Sequence, residues 1–198
     1  MGMPAIRRHW TTAEVRALMD ESRHWPRYEL IGGELLVTPS PGVVHQVAVG
    51  ELFRLIADYV DREQLGVTLT SPSDIELVPG TITQPDIFVV PKAVLPDEDV
   101  KPAWTQVTAL LLAVETISPS SVRTDRVEKR DFYLDVGVPD YWIVDLDARI
   151  IEQWTPRQTT PRVESSRLEW LPDGAVSPLV VDLPELFRRI SGRWRLPR

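Results

Sequence analysis

The run Ala109-Leu110-Leu111-Leu112-Ala113-Val114-Glu115-Thr116-Ile117-Ser118-Pro119-Ser120-Ser121 decides the fold. Six apolar residues in succession, without the alternation of a half-buried strand, read as a strand covered on both faces. Covering both faces takes helices, so the run belongs at the centre of a sheet with helical layers on either side. It ends abruptly at Glu115, and Ser118-Pro119-Ser120-Ser121 forms a break after it.

Downstream, a helix is predicted from Thr124 to Val136, with Gly137 placed for a C′ cap. Asp140–Asp145 and Arg149–Trp154 read as two strands joined by Leu146-Asp147-Ala148, and a short helix lies near Pro184–Ile190. Upstream, strands are predicted at Gly66–Thr70, Ile75–Val78 and Asp86–Val90, separated by proline and glycine. The stretch Val94–Trp104 reads as an exposed loop or short helix. Val49, Leu52, Phe53, Ile56, Tyr59 and Val60 recur at helical spacing, giving a long helix over Val44–Val60. Tyr28–Val37 forms a strand pair around Gly32-Gly33, a turn that needs positive φ. Thr11 and Glu14 stand at capping-box spacing, so a first helix starts near Thr12 and ends by Trp25-Pro26. The expected fold is α/β (α+β), a mixed central sheet flanked by helices, as one domain over residues 1–198 with a basic C-terminal tail at 188–198.

Composition narrows the function. The 198 residues are 43% hydrophobic and 26% charged, which suits a globular domain with an ample core. Cysteine is absent, so disulfides, zinc-thiolate sites and thiol catalysis are excluded. No apolar run reaches membrane-spanning length and no signal-peptide pattern appears, so a cytoplasmic protein with no membrane partner is expected. The net charge is −7, which repels phosphate at long range, although five arginines fall between Arg188 and Arg198. Arginine outnumbers lysine 19 to 3, which singles out each lysine. Phosphate-loop, dinucleotide-fingerprint and nucleophile-elbow motifs are all missing.

Two acids stand where an acid is expensive. Asp86 opens the strand Ile87-Phe88-Val89-Val90 and Glu115 closes the apolar run; burying either carboxylate costs several kcal/mol without compensation. Acids at the ends of neighbouring strands can converge on one cation, and oxygen-only ligation suits Mg2+ or Mn2+. Each acid alone is better explained by a solvated strand end; together with a lysine they shift the balance towards a site. Asp125, Lys129 and Tyr133 share one helix face, a pattern that also describes an ordinary solvated Asp–Lys pair. Glu34 reads by itself as a turn acid, and His45 as a neutral histidine near a helix start. Trp142 and Trp154 fall in strands of the core, whereas Trp170 and Trp194 stay open between core and surface.

Several segments occur together in one order: Tyr28-Glu29-Leu30-Ile31-Gly32-Gly33-Glu34-Leu35, His45-Gln46, Gln84-Pro85-Asp86-Ile87, Val114-Glu115-Thr116-Ile117-Ser118-Pro119-Ser120, Asp125-Arg126-x-x-Lys129-x-x-x-Tyr133, and Gly137-Val138-Pro139-Asp140-Tyr141-Trp142-Ile143-Val144-Asp145. From Thr12 to Phe187 the chain thus resembles the Uma family of restriction-endonuclease-like bacterial proteins. That resemblance implies the PD-(D/E)XK nuclease fold and metal-assisted hydrolysis of DNA. It implies that Asp86, Glu115 and the Thr116 carbonyl hold magnesium or manganese. Ile117 stands where the superfamily usually has its lysine, so Lys129 takes that role from the following helix, orienting water or stabilising the transition state. Glu34 matches the family's early glutamate and would complete the acidic shell, while Gly32 replaces the aspartate common in relatives. Tyr133 and His45 would support the site, and Arg123, Arg126 and Arg130 would contact the DNA backbone. A homodimer suits cutting of both strands. The alternatives are an inactive scaffold of the same fold and a small-substrate metal phosphodiesterase.

Overall fold

The computed structural model describes residues 9–21, 26–95, 103–117 and 121–193. His24, Trp25, the Ser118-Pro119-Ser120 break, Trp194 and the last part of the basic tail lie outside the described residues. In chain order, α1 (Thr12–Glu21) precedes the hairpin β1 (Arg27–Ile31) and β2 (Glu34–Thr38), and the long helix α2 spans Val43–Arg62. Strands β3 (Gly66–Thr70), β4 (Ile87–Pro91) and β5 (Leu112–Ile117) come after it. A π-helical turn, Thr124–Lys129, runs into α3 (Arg130–Asp135), and β6 (Asp140–Asp145) and β7 (Ile150–Trp154) come next. Strands β8 (Arg162–Glu164), β9 (Arg167–Trp170) and β10 (Leu179–Asp182) lead to α4 (Leu183–Arg193).

The predicted mixed sheet has six strands in the order β3-β4-β5-β6-β7-β8. Only β5 and β6 are parallel, so the connection through the π-helical turn and α3 is the crossover that parallel pairing requires. Every residue of β5 is buried. Leu112 and Val114 face one cluster with α2, β9, β10 and α4, and Ala113 and Ile117 face another with Phe132 and Tyr133. The strand does not stop at Glu115: it continues to Ile117, and Lys129 Nζ lies 2.9 Å from the buried Glu115 carboxylate. A third cluster, Val15, Leu30 and Ile82, seats α1 and the β1–β2 hairpin.

Local chemistry explains the element ends. Thr11 and Glu14 form the reciprocal capping box, with Thr11 N donating to Glu14 Oε2 at 2.9 Å and Glu14 N to Thr11 Oγ1 at 3.3 Å. Gly32 and Gly33 have φ of 58° and 78°, as a two-residue hairpin turn demands. Gly137 has φ of 82° and ends α3. Ile75–Val78 does not form the expected strand; Ile75 makes an isolated bridge to Thr83, and the Thr81 N–H closes a turn onto the Val78 carbonyl. Trp170 is core: it packs edge-on against Trp142 with centroids 5.6 Å apart and donates through Nε1 to Asp140 Oδ2 at 3.0 Å.

Candidate active site

Strands β4 and β5 are antiparallel, with Ile87 opposite Val114. One residue further the same register sets Asp86 against Glu115, and opposed residues of an antiparallel pair project to one face. Where β4 ends, the Asp86 carboxylate replaces the next rung: Thr116 N donates to its Oδ2 at 2.9 Å. His45, near the start of α2, reaches the same oxygen through Nε2 at 2.9 Å. Arg27 Nη1 lies 3.8 Å from Asp86 Oδ1. Burial alone would raise the Asp86 carboxyl, but the His45 and Thr116 hydrogen bonds outweigh it and hold it below the usual range.

Lys129 reaches back from the crossover helix to the other acids. Its Nζ lies 2.9 Å from Glu115 Oε1, 2.7 Å from Glu29 Oε2 and 3.7 Å from Asp125 Oδ1. Burial would strip the Lys129 ammonium of its proton, but Glu115, Glu29 and Asp125 reverse this and push it well above its ordinary value. The converse is incomplete. Burial drives Glu115 well above the carboxylate range; Lys129 opposes this, while Asp125, Asp86 and Glu29 add to it. Asp125 is raised for the same first reason. The π-helical turn brings Thr124, Asp125 and Lys129 to one cleft with Ser121 just before it, in keeping with the habit of π-turns to occur at functional sites.

That cleft, about 350 Å³, opens at the strand ends and is walled by the hairpin, the Pro39–Gly42 loop, the start of α2 and the crossover helix. Among its described lining residues the carboxylates are Glu29, Asp86, Glu115 and Asp125, and the fixed cations are Arg27 and Lys129. Acid therefore exceeds base in a desolvated place. This fits a hard divalent cation, as does a donor set made of oxygen. Among the described residues no three histidine or carboxylate side chains form a ready cage. Magnesium commonly needs none, since it binds through one or two carboxylates and keeps water and substrate phosphate as its other ligands.

Of the expected site residues, Asp86, Glu115, Thr116, Lys129 and His45 line this cleft together. Glu34 does not. It pairs with Ile31 at the turn of the hairpin, whereas the hairpin meets the cleft through its other end. Glu29, two rungs further in opposite Leu36, is the acid that arrives. Its Oε1 accepts Gln84 N at 2.7 Å, and β1 is pinned there by the reciprocal Leu30–Ile82 backbone bonds. Tyr133 stands behind the cleft, its ring centroid 5.1 Å from that of Tyr141, and burial pushes its hydroxyl well up.

The three arginines are arranged differently from expectation. Arg126 turns to the sheet, where Nε donates to Glu152 Oε1 at 2.8 Å and Nη2 to Asp145 Oδ2 at 3.0 Å. Arg130 lies 4.8 Å over the Trp154 ring and bonds Asp131. Only Arg123 of the three is well exposed, 3.4 Å from Glu128. Helical position alone leaves all three in solvent; acids on β6 and β7 capture Arg126.

Comparisons with known proteins agree with this architecture. The Uma2 family profile, described as "Putative restriction endonuclease", matches residues 13–190. Among solved structures, a "putative nuclease belonging to DUF820" from Anabaena variabilis superposes with a TM-score of 0.68 at 21% identity, over 83% of this chain and 92% of that one. At that identity the likeness speaks for the fold. No curated protein matches.

Proposed function

The chain belongs to the Uma2 family, and from that premise we propose that it hydrolyses DNA phosphodiester bonds with the help of Mg2+ or Mn2+. The observation that carries this reading is the meeting of Asp86, Glu115 and Lys129, from three separate elements, in one cleft with surplus acid. Asp86, Glu115 and the Thr116 carbonyl would hold the cation. When bound, it acidifies a water and neutralises charge on the phosphate. His45 and the Thr116 N–H keep Asp86 ionised and aimed. Glu29, Asp125 and Glu115 hold the Lys129 ammonium in place, where it steadies the attacking water or the negative charge that develops on phosphorus-bound oxygen. Arg27, on the cleft wall, can meet a phosphate oxygen. The water oxygen bonds to phosphorus, one bridging P–O bond breaks, and the departing oxygen takes a proton.

The test is cleavage of DNA in Mg2+ or Mn2+ by wild type, Asp86→Ala and Glu115→Ala, with circular dichroism to verify folding. Wild-type cleavage that depends on the metal and vanishes in both folded variants is the expected result. Activity retained in either would overturn the site assignment.

A further inference from the structure

The turn that carries Lys129 works on two sides. Asp125 and Lys129 line the cleft. Arg126 and Arg130, each one residue further on, face the sheet instead: Arg126 meets Glu152 and Asp145, and Arg130 lies over the Trp154 ring. Within a helix the directions of neighbouring side chains are fixed relative to one another, so whatever fastens the second pair also aims the first. A lysine depends on this, because its ammonium sits on a long flexible stem that the backbone must point.

The fastening runs to β6 and β7. The Tyr141 hydroxyl, on β6, donates to the Asp125 carbonyl at 2.9 Å, and both residues are buried. Its acceptor is a main-chain group within the π-helical turn, so this contact acts on the backbone directly. Arg126 Nε donates to Glu152 Oε1 at 2.8 Å and Nη2 to Asp145 Oδ2 at 3.0 Å. Both acceptors are themselves tied down. Asp145 Oδ1 accepts the Asp147 and Ala148 N–H groups at 3.1 and 2.9 Å, and Glu152 Oε2 accepts Trp154 Nε1 at 3.3 Å. A guanidinium is a rigid planar fork, so two fixed acceptors set its orientation as well as its position.

We infer that Arg126 and Tyr141 are positioning residues: they fasten the π-helical turn to β6 and β7 and thereby hold Lys129 in its place in the cleft. The catalytic consequence rests on the nuclease reading. Arg126, Tyr141, Asp145 and Glu152 all lie outside the described lining of the cleft, so their influence on the reaction passes through Asp125 and Lys129. Arg126 braces the turn instead of contacting the DNA backbone. A misplacement of about 1 Å at a reacting group can cost about 100-fold in rate, so loss of an anchor should show in kcat.

The experiment compares the whole chain with Arg126→Met, Arg126→Lys, Tyr141→Phe and Glu152→Gln, each checked for folding by circular dichroism. One measurement is steady-state cleavage of DNA in Mn2+. The other is the proton–nitrogen correlation spectrum of the lysine ammonium groups in EDTA. The sequence has only three lysines, and Lys129→Arg identifies the Lys129 signal by removing it. Arg126→Met and Glu152→Gln should lower kcat by about 10–100-fold and change KM for DNA by less than about threefold. Tyr141→Phe should lower kcat in the same sense, and Arg126→Lys, a point charge without the fork, should recover only part of the loss. The Lys129 signal should shift in every variant that loses rate. If Arg126→Met does not fold, Tyr141→Phe and Glu152→Gln carry the test. When wild type cuts DNA, an unmoved kcat or an unmoved Lys129 signal in the folded variants overturns the inference and leaves the nuclease reading intact. A raised KM with kcat unchanged also overturns it and places Arg126 on the DNA. If wild type cuts no DNA, the nuclease reading falls, and the ammonium signal alone decides whether these anchors hold Lys129.

Discussion

Replacing Lys129 with methionine and Glu115 with glutamine should have opposite consequences for the metal-free protein, although the two side chains form one ion pair. Lys129 is the cation for three buried carboxylates, at 2.7, 2.9 and 3.7 Å. Lys129→Met strands all three, and removing one partner of a buried pair costs about 3–5 kcal/mol. For a chain of this size that corresponds to a fall of about 6–20 °C in Tm. Glu115→Gln instead removes one of four acids that face two fixed cations, and Lys129 keeps Glu29 and Asp125. Its cost should be below about 1 kcal/mol, or its sign reversed, since burying a surplus charge is itself unfavourable. The pH dependence has a defined direction. Burial raises Glu115 well above 4.5, so the folded state holds that proton more tightly than the unfolded chain. The group's contribution is therefore fully present below 4.5 and is lost as pH rises towards its folded value. Glu115→Gln should flatten that decline. Thermal and urea melts in EDTA across neutral and mildly acidic pH measure all of this. If Glu115→Gln lowers Tm as much as Lys129→Met, the cleft is balanced in charge and does not favour a divalent cation.

Three more outcomes rest on single contacts. His45→Ala removes the Nε2 bond to Asp86 and should weaken metal binding or cleavage by about 10–100-fold, measured by calorimetry with Mn2+, with His45→Gln recovering part of it; an unchanged affinity would separate His45 from the site. Tyr59→Phe loses the hydroxyl bond to the Ser177 carbonyl at 2.8 Å and should cost about 0.5–1.5 kcal/mol in urea melts, leaving metal binding alone. Glu185 is held at about 2, below its usual 4.5, by hydrogen bonds from Arg188 and then Arg189. Its contribution is present above 4.5 and lost as pH falls towards about 2, so any Tm advantage of wild type over Glu185→Gln should shrink on acidification; a gap that persists at low pH would refute it.

The sheet was legible because its signals are local. The apolar run Ala109–Val114 marks β5, although the strand takes only its second half and runs on to Ile117; a Gly-Gly turn marks the hairpin, and Thr11 with Glu14 marks the start of α1. The pairing of Asp86 and Glu115 was also within reach, since one acid stands just before a buried strand and the other within one. Glu29 escaped because, in the sequence, it is one polar residue in a short hairpin strand. Its role depends on the hairpin bridging Leu30 to Ile82 and laying itself across the strand ends, a tertiary event without a local mark. Glu34 reads by itself as a turn acid and gains a site role only through the family resemblance; it stands at the turn, two rungs from Glu29. The arginines illustrate the same limit. A helix pattern tells which face Arg126 occupies, not that Asp145 and Glu152 wait on the adjacent strands. Trp170 was undecidable for a like reason, since its partners Tyr59 and Trp142 are distant in sequence.

The π-helical turn over Thr124–Lys129 bears on tolerance to insertion and deletion. Its widened turn accommodates one residue more than α geometry would. Loss of one residue between Asp125 and Lys129 would restore ordinary helix and change their spacing from i, i+4 to i, i+3, so the two side chains would no longer enter the cleft in their present arrangement. Across descendants of this gene, the length of that segment should drift far less than its composition. A one-codon deletion there should silence the protein more surely than most substitutions.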